Sequence, residues 1–194
     1  LFGLARAYEA FPDDPFASRI SEMVERFIER NLAGVDRPSD AGLLLALMAQ
    51  WSDQAPARGL LRRVREALES APEADLVMQD LAWMLWGACA GVRESLPDAE
   101  ETARAIYQRI RTRYLCRDSL MPRHDLSAHR RHLVSFGALT YYLRAMAEYA
   151  STFDDEYAMQ LFTHGAERTL ALQGPHGEWP WMIGVGSARS LDFY

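Results

Sequence analysis

Three helical segments of this sequence are apolar on nearly every side, and they alternate with segments that carry charge along one face. The apolar segments contain the runs Gly42–Ala49, Leu81–Ala88 and Phe136–Leu143. A helix that is apolar all round must be covered all round, whereas an amphipathic helix needs cover on one face only. The alternation therefore predicts two layers of helices, with the apolar helices in the inner layer.

Periodic patterning, together with start and stop signals, predicts eight helices. They span Leu1–Phe11, Pro15–Leu32, Ser39–Trp51, Pro56–Ser70, Ala74–Glu94, Asp98–Tyr114, Leu133–Thr152 and Asp155–Leu172. No stretch alternates with period two over the length of a strand, so the predicted fold class is all-α. Four small residues, Gly42, Gly87, Ala88 and Gly137, are expected to let the inner helices approach one another closely.

The composition fits a single globular domain and argues against nucleic-acid binding. The chain has 194 residues, of which 49% are hydrophobic, and this is enough for a sizeable core. A net charge of −6 leaves no basic footprint for a phosphate backbone. All 21 basic residues are arginine, a bias typical of a GC-rich, bacterial genome.

Two cysteines, Cys89 and Cys116, lie far apart and show no disulfide framework, which is compatible with a reducing cytoplasm. The longest apolar run, Leu81–Val92, is too short to span a bilayer, so no membrane insertion is expected. The sequence begins at Leu1 instead of Met, and we expect a fragment of a longer protein. The expected location is cytoplasmic, although a signal peptide lost upstream stays an alternative.

The stretch after the last predicted helix combines turn-forming residues with two tryptophans: it reads Gln-Gly-Pro-His-Gly-Glu-Trp-Pro-Trp at 173–181. Its spacing Gln173-x3-Gly177-x-Trp179 resembles the repeat motif of α/α toroids, seen in terpenoid cyclases and, in looser form, in six-hairpin glycosidase-like proteins. The resemblance implies a closed barrel of roughly five to seven helical hairpins, of which this chain supplies about four. We therefore expect residues 1–194 to form one toroid domain that is incomplete. An open α-solenoid is the competing architecture.

In such an alternation, every connection from an outer to an inner helix lies at one end of the molecule. The connections are Gly34–Ser39, Ala71–Ala74, Cys116–His132 and Gln173–Tyr194. The last two are the longest loops of the chain, and long loops in compact domains are usually functional or disordered. They hold four of the five histidines, so we place the candidate site at this end.

The first long loop gathers imidazole, carboxylate and guanidinium groups. A metal would be bound by two histidines and Asp125, but neighbouring arginines would oppose its charge, and no HExxH spacing is present. We predict no metal and no cofactor. Arg123, His124, Asp125 and Arg131 are predicted instead as polar contacts to a substrate, or as a hydrogen-bonding loop without a ligand.

Two carboxylates are candidates for acid–base chemistry. Asp80 lies on a helix that is expected to be buried, where a carboxylate is costly unless it is paired, caps the helix or faces a cavity. Glu178 lies between Gly177 and Trp179. Two carboxylates across a glycosidic bond are what sugar hydrolysis requires, so both are candidate catalytic residues.

Four aromatic residues are predicted to stack on a sugar ring: Trp83, Tyr141, Trp179 and Trp181. The alternative for Trp179 is that it closes the gap between helix ends, as the corresponding Trp does in toroids. The acidic run Phe153–Glu156 matches neither acidic motif of terpenoid synthesis and is expected to cap the last helix.

The resemblance and these residues together predict a carbohydrate-active or carbohydrate-binding protein, glycosidase-like if it is an enzyme. The expected partner is a small molecule or an oligosaccharide. A non-catalytic helical interaction module and a terpenoid cyclase-like protein are the two alternatives.

Overall fold

The computed structural model describes residues 17–32, 34–48, 54–72, 76–186 and 190–191. Seven α-helices and three short strands lie within these ranges. The helices are α1 (Ala17–Leu32), α2 (Pro38–Met48), α3 (Gln54–Ser70), α4 (Met78–Arg93), α5 (Ala99–Arg109, continued as a π-turn over Ile110–Tyr114), α6 (Phe136–Phe153) and α7 (Glu156–Leu170). The strands are β1 (Leu133–Ser135), β2 (Met182–Gly184) and β3 (Ser190–Leu191). The prediction of a mainly α-helical protein is therefore confirmed, and the three short strands are the part that it did not include. The predicted helix Leu1–Phe11 lies outside the described residues.

The described helices form two layers. Helix α4 packs between α2 and α6, and these three helices make an inner row. Helices α3, α5 and α7 each pack mainly on the inner helix that precedes them in the chain, and α1 packs on α2. This arrangement follows from the sequence, because the inner helices carry the apolar runs and the outer ones are amphipathic.

Two glycines set the close approach of α2 and α4. A β-carbon at Gly42 would lie 2.6 Å from the carbonyl oxygen of Trp83, and one at Gly87 would collide with the Gly42 carbonyl. The predicted role of these two residues is confirmed. The same expectation for Gly137 is wrong for the described residues, because a β-carbon there would meet none of their atoms within 4 Å.

Burial follows the predicted layers in two of the three inner helices. Helix α2 buries eight of its 11 residues and α4 ten of its 16, against five of 11 in the outer helix α5. Helix α6 buries only seven of its 18 residues, so it lies in the inner row as expected, but the expectation that it is covered on all sides is wrong. The reason is that Tyr141 and Arg144 lie on a side of α6 that the described elements leave open.

The small sheet corrects the prediction that Leu133–Thr152 is entirely helical. Strand β1 pairs antiparallel with β2, which in turn pairs with β3. The helix begins at Phe136 because the Ser135 hydroxyl accepts a hydrogen bond from the Ala138 N–H at 3.2 Å, as an N-cap does. Asp155 caps α7 in the same way, accepting from the Ala158 N–H at 2.8 Å, which agrees with the predicted cap.

None of the helices within the described ranges is long and apolar enough to cross a membrane.

Candidate functional site

The two long loops meet at one end of the inner row. Strand β1 directly follows the first loop, and strand β2 lies within the second loop; the two strands pair with Val134 opposite Ile183. The Phe136 N–H donates to the Trp181 carbonyl at 3.0 Å, and the Val185 N–H donates to the His132 carbonyl at 2.9 Å. Backbone pairing therefore holds both loops at the start of α6.

Asp125 has a structural role in the first loop. Its side chain is only 4% exposed, and its Oδ1 accepts hydrogen bonds from the backbone N–H and the hydroxyl of Ser127, at 3.0 and 2.6 Å. Its Oδ2 forms an ion pair with Arg130 Nε at 3.0 Å. Both oxygens are thus occupied within the loop. Arg131 is exposed. Arg123 is partly buried, and its backbone N–H donates a hydrogen bond to the Tyr114 carbonyl at 2.8 Å.

His124 and Asp80 lie close to each other where the first loop meets α4. The His124 carbonyl accepts the Met78 N–H at 2.8 Å, and Asp80 Oδ2 accepts the Val77 N–H at 3.2 Å. Two N–H groups at the start of α4 are satisfied in this way. Burial lowers the pKa of His124, and the charge of Arg130 lowers it further. The carboxylates of Asp125 and Asp80 oppose this shift without cancelling it.

Glu178 closes its own turn. Its backbone carbonyl accepts the Gly174 N–H at 2.9 Å, and its carboxylate accepts the His176 N–H, also at 2.9 Å. Gln173 Nε2 donates to the Gly177 carbonyl at 3.1 Å, and Gly177 has a φ of 84°, in the left-handed region that favours glycine. Gln173 and Gly177, the Gln and the Gly of the motif, therefore have identifiable roles in the turn.

The two tryptophans of this stretch differ in their environment. Trp179 is partly buried and stacks on Phe136, with ring centroids 5.0 Å apart. This contact supports the alternative that Trp179 closes a gap between helix ends, here beside the start of α6. Trp181 is 80% exposed, and its predicted role in binding remains a prediction.

A second group of aromatic residues lies on the open side of α4 and α6. Trp83 and Tyr141 meet edge to face with centroids 5.0 Å apart. One turn further along, the Arg144 guanidinium lies 4.6 Å from the centre of the Trp86 ring. We call Trp83, Trp86, Tyr141 and Arg144 the aromatic stripe. The Trp83 indole N–H is covered and finds no acceptor in the described part of the chain.

Sequence reasoning identified Trp83 and Tyr141 but missed Trp86 and Arg144. The signal that would have identified them is a spacing of three residues on each helix, 83 to 86 and 141 to 144. This spacing places both residues of each pair on one face of their helix. Because these segments are apolar nearly all round in sequence, no open side was expected. That the two pairs face each other depends on the packing of α4 against α6.

No cluster of three or more His, Cys, Asp or Glu side chains that could hold a metal occurs among the residues placed in the structure. One cavity, of about 350 Å³, lies between α1 and α2, and another, of about 570 Å³, lies between α3 and the turn before α5. No described residue of the two long loops lines either cavity.

The sequence matches no family model, and no curated protein or solved structure shows significant similarity to it.

Proposed function

We propose that this protein binds carbohydrate along the aromatic stripe, within an architecture that resembles an α/α toroid. The observation that carries the proposal is the pairing of Trp83 with Tyr141 and of Trp86 with Arg144 on the open side of two adjacent inner helices. Aromatic faces pack against the apolar C–H faces of pyranose rings. In a toroid, this side of the inner helices would line the central cavity.

Polar groups flank the aromatic rings, as binding of a polyhydroxylated ligand requires. The Arg144 side chain is 46% exposed, and its guanidinium group offers hydrogen-bond donors to ligand oxygens.

The proposal extends to binding and not to hydrolysis. A glycosidase needs two carboxylates that flank the bond to be cleaved. Asp80 and Glu178 both use a carboxylate oxygen to accept a backbone N–H near their own position in the chain. These contacts favour structural roles for the two side chains.

The test is isothermal titration calorimetry with a panel of neutral and acidic oligosaccharides. We expect at least one saturable ligand, and we expect Trp86→Ala to weaken its binding about tenfold or more, which corresponds to about 1.4 kcal/mol. Tyr157→Ala is the matched control, because Tyr157 is a 40% exposed aromatic residue on the outer helix α7. Absence of any saturable ligand, or equal effects of the two substitutions, would contradict the proposal.

A further inference from the structure

A cluster of charged residues lies at the end of the aromatic stripe that is remote from the two long loops. Glu148 of α6 accepts hydrogen bonds from Arg144 Nε at 2.8 Å and from Arg93 Nη1 at 3.0 Å. Arg144 Nη2 lies 2.6 Å from the same Glu148 oxygen that Nε contacts. Arg93 Nη1 also donates to the Thr152 hydroxyl at 3.1 Å. One carboxylate therefore bridges arginines from two neighbouring inner helices, and we call Arg93, Arg144 and Glu148 the arginine cluster.

The arginine cluster carries more positive than negative charge. Its two guanidinium groups face a single carboxylate, in a protein whose net charge is −6. The Glu148 side chain is 14% exposed, whereas those of Arg93 and Arg144 are 43% and 46% exposed. Glu148 thus holds the two arginines in place from beneath, while both arginine side chains remain partly open to solvent.

The atoms beneath the arginine cluster do not cancel this excess. Cys89 is buried there, and its pKa is raised to about 12, mainly by burial. Its thiol is therefore neutral at physiological pH. The Thr152 hydroxyl is neutral as well, so Glu148 supplies the negative charge that lies against Arg93 and Arg144 within the described ranges.

The arginine cluster is continuous with the aromatic stripe. Arg144 belongs to both, since its guanidinium lies over the Trp86 ring and also contacts Glu148. From Trp83 to Arg93 the helix rises about 15 Å, at about 1.5 Å per residue. A ligand that lies along the aromatic rings would therefore bring one of its substituents to the arginines.

We propose that the arginine cluster binds an anionic substituent, a carboxylate or a sulfate, on the carbohydrate that occupies the aromatic stripe. This inference rests on the proposed function and adds the charge of the ligand. Guanidinium groups form charge-assisted hydrogen bonds with such anions, and a cation already stacked on an indole loses little freedom when it binds. The preferred ligands are acidic oligosaccharides.

The experiment compares matched pairs of oligosaccharides. Each uronic acid oligosaccharide is titrated beside its carboxyl-reduced form, which has the same linkages and ring stereochemistry but no charge. We expect the acidic form to bind at least tenfold more tightly at low salt. We also expect this preference to shrink as sodium chloride is added, because salt screens exposed charges.

Substitutions assign the preference to the cluster. Arg144→Gln and Arg93→Gln are each expected to remove most of the preference for the acidic form. Arg104→Gln is the control, because Arg104 is a similarly exposed arginine of the outer helix α5 that pairs with Glu100. A preference for the acidic form that survives both cluster substitutions would overturn the inference.

The failure of this inference can be distinguished from the failure of the proposed function. Equal binding of the acidic and neutral forms, with both sensitive to Trp86→Ala, would overturn the anion site and leave carbohydrate binding in place. Absence of binding by every member of every pair would contradict both.

Discussion

At the scale of single residues, two buried tyrosines differ in what their hydroxyl groups contact. Tyr114 and Tyr142 are both fully buried. The Tyr114 hydroxyl donates to the Leu76 carbonyl at 2.6 Å, whereas the Tyr142 hydroxyl has no hydrogen-bond partner within the described ranges. A buried polar group without a partner costs free energy, while a satisfied one contributes a modest net stabilisation.

The pair gives a prediction for the free energy of unfolding. Tyr114→Phe is expected to lower it by about 1–2 kcal/mol, because the Leu76 carbonyl would lose its donor. Tyr142→Phe is expected to leave it unchanged or to raise it by up to about 1 kcal/mol. Urea unfolding of the two variants beside the parent protein measures both effects. A clear loss of stability in Tyr142→Phe would show that its hydroxyl is satisfied, and would contradict the account.

The sequence predicted the Gln173–Trp179 turn better than it predicted the roles of the candidate site residues. Glycine at a left-handed φ and a glutamine that caps a nearby carbonyl are local effects, and local effects can be read from spacing. The hydrogen bond of Asp125 with Ser127 and its ion pair with Arg130 are also local contacts. The sequence alone, however, does not distinguish a carboxylate that is satisfied within its loop from one that faces a ligand.

At the scale of elements, the contact between α2 and α4 depends on glycine. We expect Gly87→Ala to lower the free energy of unfolding by about 1–3 kcal/mol or more, because the added methyl group would collide with the Gly42 backbone. Gly59→Ala is the control: a β-carbon there would meet no described atom within 4 Å, so higher helix propensity should add up to about 1 kcal/mol. Thermal unfolding of both variants provides the measurement. If Gly87→Ala and Gly59→Ala stabilised the protein equally, the close approach of α2 and α4 at Gly87 would be refuted.

Helices were predicted well and strands were not, for a physical reason. Seven predicted helices correspond to the seven helices of the described chain, because a helix makes its hydrogen bonds within itself and repeats its pattern over several turns. Strand β1 has three residues, too few to show a period of two. It forms because β2, almost 50 residues later, pairs with it, and such pairing leaves little trace in the local sequence.

At the scale of the whole molecule, the alternation of helix types predicted the two layers but not the open side of the inner row. An apolar run shows that a helix is mostly covered, and it does not show which side is left free. Tryptophan, tyrosine and arginine are ambiguous in this respect, because each buries an apolar body while it presents polar atoms. The aromatic stripe is therefore a property of the packed structure.

The measurement that tests the central claim most directly is hydroxyl-radical footprinting of the aromatic side chains, with and without a bound oligosaccharide. We expect the ligand to protect Trp86 and Tyr141, which lie on the aromatic stripe, while Trp181 in the second long loop and Tyr157 on the outer helix keep their reactivity. Protection of Trp181 without protection of the stripe would place the ligand at the two long loops and contradict carbohydrate binding along the aromatic stripe.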